Sequence, residues 1–247
     1  MNSRKVLITA GGTIEKIDDV RSVTNQSTGL LGSLIADEFT DFGWEVTFLN
    51  ARGSALPELL PTGGCIPVES VAELQAALEN QLKTQKFDAI IHAMAVSDFT
   101  PTYTLTPKNL AENLAGKDIT EQNILKAITE AGSRVGGGKI PSGQENLLIA
   151  FESTPKLIDM MKTFSPSSVL VGFKLLSGAD KQELQEAAQS LIKTSGCDFV
   201  LANDLTGINS AGLHKAFLVD SGGIIEEAEN KHDIAAIIYG SVSGKVG

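Results

Sequence analysis

The run ITAGGTIEKIDDVRSVTNQSTGLLG, Ile8–Gly32, decides how this chain is read. Its first residues close an apolar, β-prone segment, Val6-Leu7-Ile8-Thr9, which breaks into Gly11-Gly12. A strand running into a glycine turn is how dinucleotide-binding folds open, but there the glycines follow G-x-G-x-x-G and lead directly into a helix. Here a polar stretch, Glu15–Gln26, intervenes. Only then do Ser27 and Thr28 offer a side-chain cap for a helix. Leu30, Leu31, Leu34, Ile35 and Phe39 follow at a spacing that makes one apolar face, and Gly43 marks the stop.

Working outward, strand-like runs recur at Lys5–Thr9, Glu45–Leu49, Ala89–Ala93, Leu170–Phe173 and Phe199–Ala202, with helical periodicity over Val71–Leu82 and Lys181–Thr194. Strands alternating with helices predict an α/β fold with a Rossmann-like, doubly wound, mainly parallel sheet. The segment HKAFLVDSGGIIEEAE predicts an antiparallel hairpin extension turning at Ser221-Gly222-Gly223, followed by a helix from near Lys231. All 247 residues fit a single domain. Between about residues 100 and 143, Pro101, Pro107, Gly132, Gly136-Gly137-Gly138 and Pro141 interrupt the rhythm. This predicts an irregular, lid-like excursion with one helix, Glu121–Ala131, since irregular segments of this length are commonly functional. After it, NLLIAFE has the composition of a strand.

The formal net charge of −10 lacks the basic footprint of a nucleic-acid or anionic-membrane binder. Small molecules and further copies of the chain remain as partners. An anionic substrate would then need a local cationic site built from a few Lys, Arg and backbone N–H groups. Cys65 and Cys197 have no zinc-ligand spacing and are too few for a disulfide framework. Together with the absence of a signal-peptide apolar region at the start and of any run near about 20 apolar residues, they predict a cytoplasmic protein.

In open α/β sheets, ligands bind at the carboxyl ends of the strands. That rule collects Ala10-Gly11-Gly12-Thr13, the polar loop, Ala93–Phe99, Gly172–Gly178 and Ala202–Gly207. Ordinary turn chemistry explains any one of these but explains five together poorly. Gly11 and Gly12 let a phosphate approach the backbone, and a helix starting at Ser27-Thr28-Gly29 presents unpaired N–H groups to an anion. Arg21 can pair with a phosphate or carboxylate or serve as a solvated loop cation, and Asn25 can donate to and accept from an acyl group. Asp98 can bind a hydroxyl or amide, hold Mg²⁺, or cap a turn. Lys139 follows three glycines and can swing over a phosphate or stay in solvent. Arg52, after the second strand, keeps an NADP-dependent reductase as the alternative, because an arginine there can accept a 2′-phosphate. His92, His214 and His232 show neither metal-ligand nor nucleophile–base spacing.

These residues together resemble phosphopantothenoylcysteine synthetase, the ligase of coenzyme A biosynthesis. The resemblance rests on VLITAGGTIEKIDDVRSVTNQSTGLLG with AMAVSDF, GKIPSG, LVGFKL and ANDL, in order from Lys5 to about Asn203. Its most specific part is the Gly-Gly-Thr, Asp-x-Val-Arg and Thr-Asn-x-Ser-x-Gly series. The resemblance implies a stand-alone synthetase that activates 4′-phosphopantothenate as an acyl nucleotidylate, releases pyrophosphate and transfers the acyl group to L-cysteine. It implies that Asn25 contacts the acyl nucleotidylate and Arg21 helps hold phosphopantothenate. Ala95 and Asp98 would lie near the substrates, Lys139 on the nucleotide phosphates and Phe173 beside the base, with Gly11, Gly12, Ser27 and Gly29 in the nucleotide site. Mg²⁺ would accompany the nucleoside triphosphate, with CTP favoured and ATP the other choice. A homodimer is implied as well.

Overall fold

The computed structural model of the chain describes residues 3–141, 143, 146–208 and 213–247. They form two compact units, one made of Met1–Thr13, Gln26–Ala95 and Lys156–Gly247, the other of Ile14–Asn25 and Val96–Pro155. Up to residue 105 the elements are β1 (Lys5–Ala10), β2 (Ile14–Lys16), β3 (Ser22–Thr24), α1 (Leu30–Asp41), β4 (Glu45–Ala51), β5 (Cys65–Val68), α2 (Val71–Thr84), β6 (Ala89–His92) and β7 (Phe99–Leu105). There follow α3 (Pro107–Leu114), α4 (Glu121–Ala131), β8 (Ser133–Arg134), β9 (Leu148–Ser153), α5 (Leu157–Phe164), β10 (Val169–Leu176) and α6 (Lys181–Ser195). The chain closes with β11 (Phe199–Ile208), β12 (His214–Asp220), β13 (Gly223–Ala228) and α7 (Lys231–Val246).

The first unit is built on an eight-stranded sheet of order β13-β12-β11-β10-β6-β1-β4-β5. Strands β5, β4, β1, β6, β10 and β11 run parallel, while β12 and β13 turn back antiparallel. This is the expected Rossmann-like sheet with its hairpin extension. On one face Val6, Ile8 and Ala10 pack with Ile35, Ala36 and Phe39 of α1 and Ile234, Ile238 and Val242 of α7. On the other, Gly172 of β10 lies against Ile158 of α5 and Leu191 of α6. Strands covered on both faces give up polar alternation for continuous apolar runs, and so Val6, Leu7 and Ile8 are all fully buried. Each such side chain contributes roughly 1.5–3 kcal/mol.

Local chemistry sets the element ends. Ser70 Oγ caps α2 by accepting the Glu73 N–H, and Asp180 and Glu183 form a reciprocal capping box at the start of α6. The β12–β13 turn is closed by Asp220 Oδ1, which accepts the N–H groups of Gly222 at 2.7 Å and Gly223 at 3.1 Å. The start of α1 differs from expectation: neither Ser27 nor Thr28 is its cap. Gly29 holds that position with φ 76° and no side-chain cap bond. A β-carbon at Gly29 would stand 2.8 Å from Ser54 Cβ, so close packing fixes a glycine there. Leu30, the first helical residue, is 42% exposed and leaves the apolar face to Ile35 and Phe39.

The second unit contains the polar stretch after the glycine turn, folded as an antiparallel hairpin that pairs Ile14 with Thr24 and Lys16 with Ser22. It also contains the three-stranded antiparallel sheet β8-β7-β9 with α3 and α4. NLLIAFE is a strand as expected, β9, paired antiparallel to β7. Helix α4 occupies Glu121–Ala131, but the excursion is far more regular than its prolines suggested. Pro107 starts a helix rather than stopping one: it follows the Thr106 N-cap, where a missing N–H costs nothing. Pro101 sits at a register shift between β7 and β9, a place that tolerates proline. Among the described residues no helix is long and apolar enough to cross a membrane. Cys65 is exposed and Cys197 buried, both free.

Candidate functional site

In the first unit the carboxyl ends of β1 and β6 are stitched together around the glycine turn. The Ala95 N–H donates to Gly11 O at 2.8 Å, and the Thr13 N–H donates to Ala95 O at 3.2 Å. Both backbone groups of Ala95 are thus engaged in holding the turn. Gly11 has φ 93°, and a β-carbon on it would come within 2.6 Å of Ala51 Cβ and 2.9 Å of Ser54 Cβ. A β-carbon on Gly32 would meet Ala10 Cβ at 2.4 Å. Gly11, Gly29 and Gly32 therefore let the end of β1, the turn after β4 and the first residues of α1 approach at backbone distance. Such a turn beside a helix start is suited to an anion. Gly12 is buried in the same turn, Ser27 is exposed before α1, and Phe173 is half-buried on β10 against the core.

Deeper in this unit, Thr9 Oγ1 accepts the Met94 N–H at 3.2 Å and pairs with His92 Nδ1 at 2.9 Å. Asn203 Nδ2 lies 3.2 Å from His214 Nε2. On β11, Asp204 accepts the N–H of Ala179, just past β10, at 3.1 Å and that of Thr206 on its own strand at 2.9 Å. Arg52 is exposed at the turn after β4. The chain continues from the glycine turn into the β2–β3 hairpin, not into a helix.

The second unit holds Arg21, Asn25, Asp98 and Lys139. Asn25 is exposed, and its Nδ2 donates to Val96 O at 3.1 Å. Asp98 is exposed, with its carbonyl accepting the Thr154 N–H at 3.0 Å. Arg21 is fixed by Asp18: Nη1 donates to Asp18 Oδ2 at 2.6 Å. Lys139 is exposed, and its segment borders a cavity of about 210 Å³ that Thr104, Asn109, Arg134 and Ile140 also line. Ser142, in the same GKIPSG motif, lies outside the described residues. Among the described residues no group of three or more His, Cys, Asp or Glu is placed to hold a metal ion.

Asp18 is the residue that sequence reasoning passed over. It stands first in the Asp-x-Val-Arg series, and an acid three residues before an arginine in a turn is the signal the sequence carries for it. It is 2% exposed. Burial by itself would raise its carboxyl, but the N–H groups of Ile140, Val20 and Arg21 and the Arg21 guanidinium pull it down to about 2. Burial lowers His92 to about 4 and also lowers His214, with Lys231 adding to the latter shift.

All three groups have folded-state values below their ordinary ones, so each contributes stability that is present above the ordinary value and lost as pH falls toward the folded one. For His92 the window runs from 6.5 down to about 4, and for Asp18 from 3.8 down to about 2. Denaturant unfolding of the wild type should therefore weaken stepwise through both windows. His92→Gln should flatten much of the upper step and leave the lower one; an unchanged upper step would contradict the role given to His92.

A mainly parallel doubly wound sheet with a glycine turn and helix start at its carboxyl edge defines a Rossmann-like protein suited to anionic ligands. Residues 1–136 match the family described as DNA/pantothenate metabolism flavoprotein C-terminal domain, and the chain belongs to that family. The coenzyme A biosynthesis bifunctional protein CoaBC of Thermococcus kodakarensis is 36% identical over 210 residues, which are 85% of this chain and 43% of that protein. The chain thus spans less than half the length of this curated relative. The crystal structure of the DNA/pantothenate metabolism flavoprotein from Streptococcus pneumoniae is similar at a TM-score of 0.84 and 30% identity, covering 98% of this chain and 100% of that one. A Cab2 mutant in complex with phosphopantothenate-cysteine shares the fold at a TM-score of 0.67 and 17% identity, covering 98% of this chain and 86% of that one.

Proposed function

We propose that the chain is a ligase of coenzyme A biosynthesis that joins 4′-phosphopantothenate to L-cysteine through an acyl nucleotidylate, using CTP in preference to ATP. The observation that carries this reading is the family match over residues 1–136 together with Arg21, Asn25, Asp98 and Lys139 lying in one compact unit. In the first step a carboxylate oxygen of phosphopantothenate attacks the α-phosphorus and pyrophosphate leaves. In the second the cysteine amine attacks the carbonyl carbon, and the nucleoside monophosphate departs with that oxygen. Both steps concentrate negative charge on phosphates and on the acyl oxygen, which cations and an amide donor stabilise.

Arg21 is given the phosphate of phosphopantothenate, Asn25 the acyl nucleotidylate, Lys139 the nucleotide phosphates and Asp98 a substrate contact. Gly11, Gly12, Ser27 and Gly29 are given the nucleotide, with Phe173 beside its base and Ala95 shaping the turn. Mg²⁺ enters with the triphosphate as part of the substrate, a mode that needs one or two carboxylates rather than a protein cage. The working form is a homodimer.

The test is pyrophosphate release by the purified protein with Mg²⁺, cysteine and 4′-phosphopantothenate, run with CTP and with ATP. Release that requires phosphopantothenate and runs faster with CTP is the expected result. No release with either nucleotide from folded protein would discard the ligase and turn attention to NADPH titration.

A further inference from the structure

The segment that carries Lys139 is fastened to the β2–β3 hairpin at three points, and Asp18 is the centre of them. Its Oδ1 accepts the N–H groups of Val20 at 2.8 Å and Arg21 at 2.6 Å, which closes the hairpin turn. Its Oδ2 accepts Arg21 Nη1 at 2.6 Å and the N–H of Ile140, the residue after Lys139, at 3.0 Å. The same Nη1 donates to Ile140 O at 3.4 Å, and the Gly136 N–H donates to Ile17 O at 3.4 Å. Four donors thus converge on one buried carboxylate. Gly136 and Gly138, with φ 87° and 66°, give the segment the backbone freedom to reach it.

We propose that Asp18 is a positioning residue that seats both cations of the reaction: Arg21 directly, through its guanidinium, and Lys139 indirectly, by pinning the Ile140 N–H. This rests on the ligase reading only for what the cations do; the fastening itself is independent of it. The hairpin gives the glycine-rich segment a fixed end, so Lys139 projects from an anchored backbone rather than a free loop.

The Lys139–Ile140 bond is itself a tryptic site, and cleavage there requires Ile140 to leave Asp18. In native full-length protein, Asp18→Asn should speed cleavage at this bond by about tenfold, the weight of one charge-assisted hydrogen bond. Asp18→Ser, whose hydroxyl can still close the turn, should do the same if the Asn variant fails to fold. In the wild type the Ile140 amide should exchange more slowly than those of Gly137 and Gly138. Equal cleavage rates in a folded variant, or an Ile140 amide as fast as its neighbours, would overturn the proposal.

On the activity side, Asp18→Asn should raise the nucleotide KM by about tenfold and lower kcat as well, because the displaced cations also stabilise charge that builds up in the reaction. The same substitution should add nothing to the nucleotide KM once Lys139→Ala is in place. A merely structural role would lower the active fraction and leave KM and the Lys139 coupling unmoved. Absence of pyrophosphate release from the wild type would remove the ligase reading while the cleavage and exchange comparisons still decide the fastening.

Discussion

Asn25→Asp is expected to lower kcat for ligation by about 10²–10³-fold, the usual loss when one donor to a developing oxyanion is removed, while leaving the protein folded. Asn25 is exposed and its side chain makes one hydrogen bond, from Nδ2 to Val96 O at 3.1 Å. Losing that bond and setting a carboxylate against a carbonyl costs about 1 kcal/mol of stability, too little to unfold a domain of this size. The effect on chemistry is larger for two reasons. A carboxylate cannot donate to the acyl oxygen, and it adds negative charge beside an intermediate whose phosphate is already anionic. Steady-state kinetics alongside a thermal melt separate the two effects. Turnover at the wild-type rate would remove Asn25 from the reaction.

Gly11→Ala is expected to be strongly destabilising, because it combines backbone strain with a steric clash. At φ 93° an L side chain is strained, which costs about 1–2 kcal/mol. The added carbon would also stand 2.6 Å from Ala51 Cβ and 2.9 Å from Ser54 Cβ, both tied to backbone with no flexible end to yield. The turn must shift, and the bonds between Gly11, Thr13 and Ala95 shift with it. A loss of about 2–5 kcal/mol is anticipated, the strain plus about 1–3 kcal/mol for overpacking, with the melting temperature lower by roughly 4–20 °C. Gly43→Ala is the control: its φ is 78°, but its β-carbon would meet nothing within 4 Å, so only the backbone strain applies. Equal melting temperatures for the two variants would mean that the close approach at Gly11 is not what demands glycine.

The parts of the fold that could be read from sequence are those whose burial leaves a pattern. Lys5–Thr9, Glu45–Leu49 and Phe199–Ala202 are legible as largely apolar strands because both faces of the sheet are covered, and the start of α6 follows from helical spacing around Leu184. The hairpin at Ser221-Gly222-Gly223 was legible because its turn chemistry is local. Short elements without a local pattern were not. Strand β5 contains Pro67 and has one buried residue, so neither period nor composition marks it. Strands β2 and β3 have three residues each, too few to show alternation, and are held by a carboxylate turn and by pairing across it.

The candidate site divides in the same way. Gly11 and Lys139 could be picked out at the end of an apolar run or beside glycines, and Arg21 and Asn25 as a cation and an amide in the polar loop. The contact from Asp18 to Ile140 could not, because it joins positions 122 residues apart. A carboxylate that is buried in the middle of a polar stretch gives no sign of burial in its neighbours.

The most direct test of the ligase account is to supply 4′-phosphopantothenate labelled with ¹⁸O in its carboxylate, together with cysteine, Mg²⁺ and CTP, and to follow the label by mass spectrometry. Acyl-nucleotidylate chemistry predicts one labelled oxygen in the released CMP and none in pyrophosphate. Label in inorganic phosphate, with CDP as the nucleotide product, would mean an acyl phosphate instead, and product formed with unlabelled CMP would contradict the account outright.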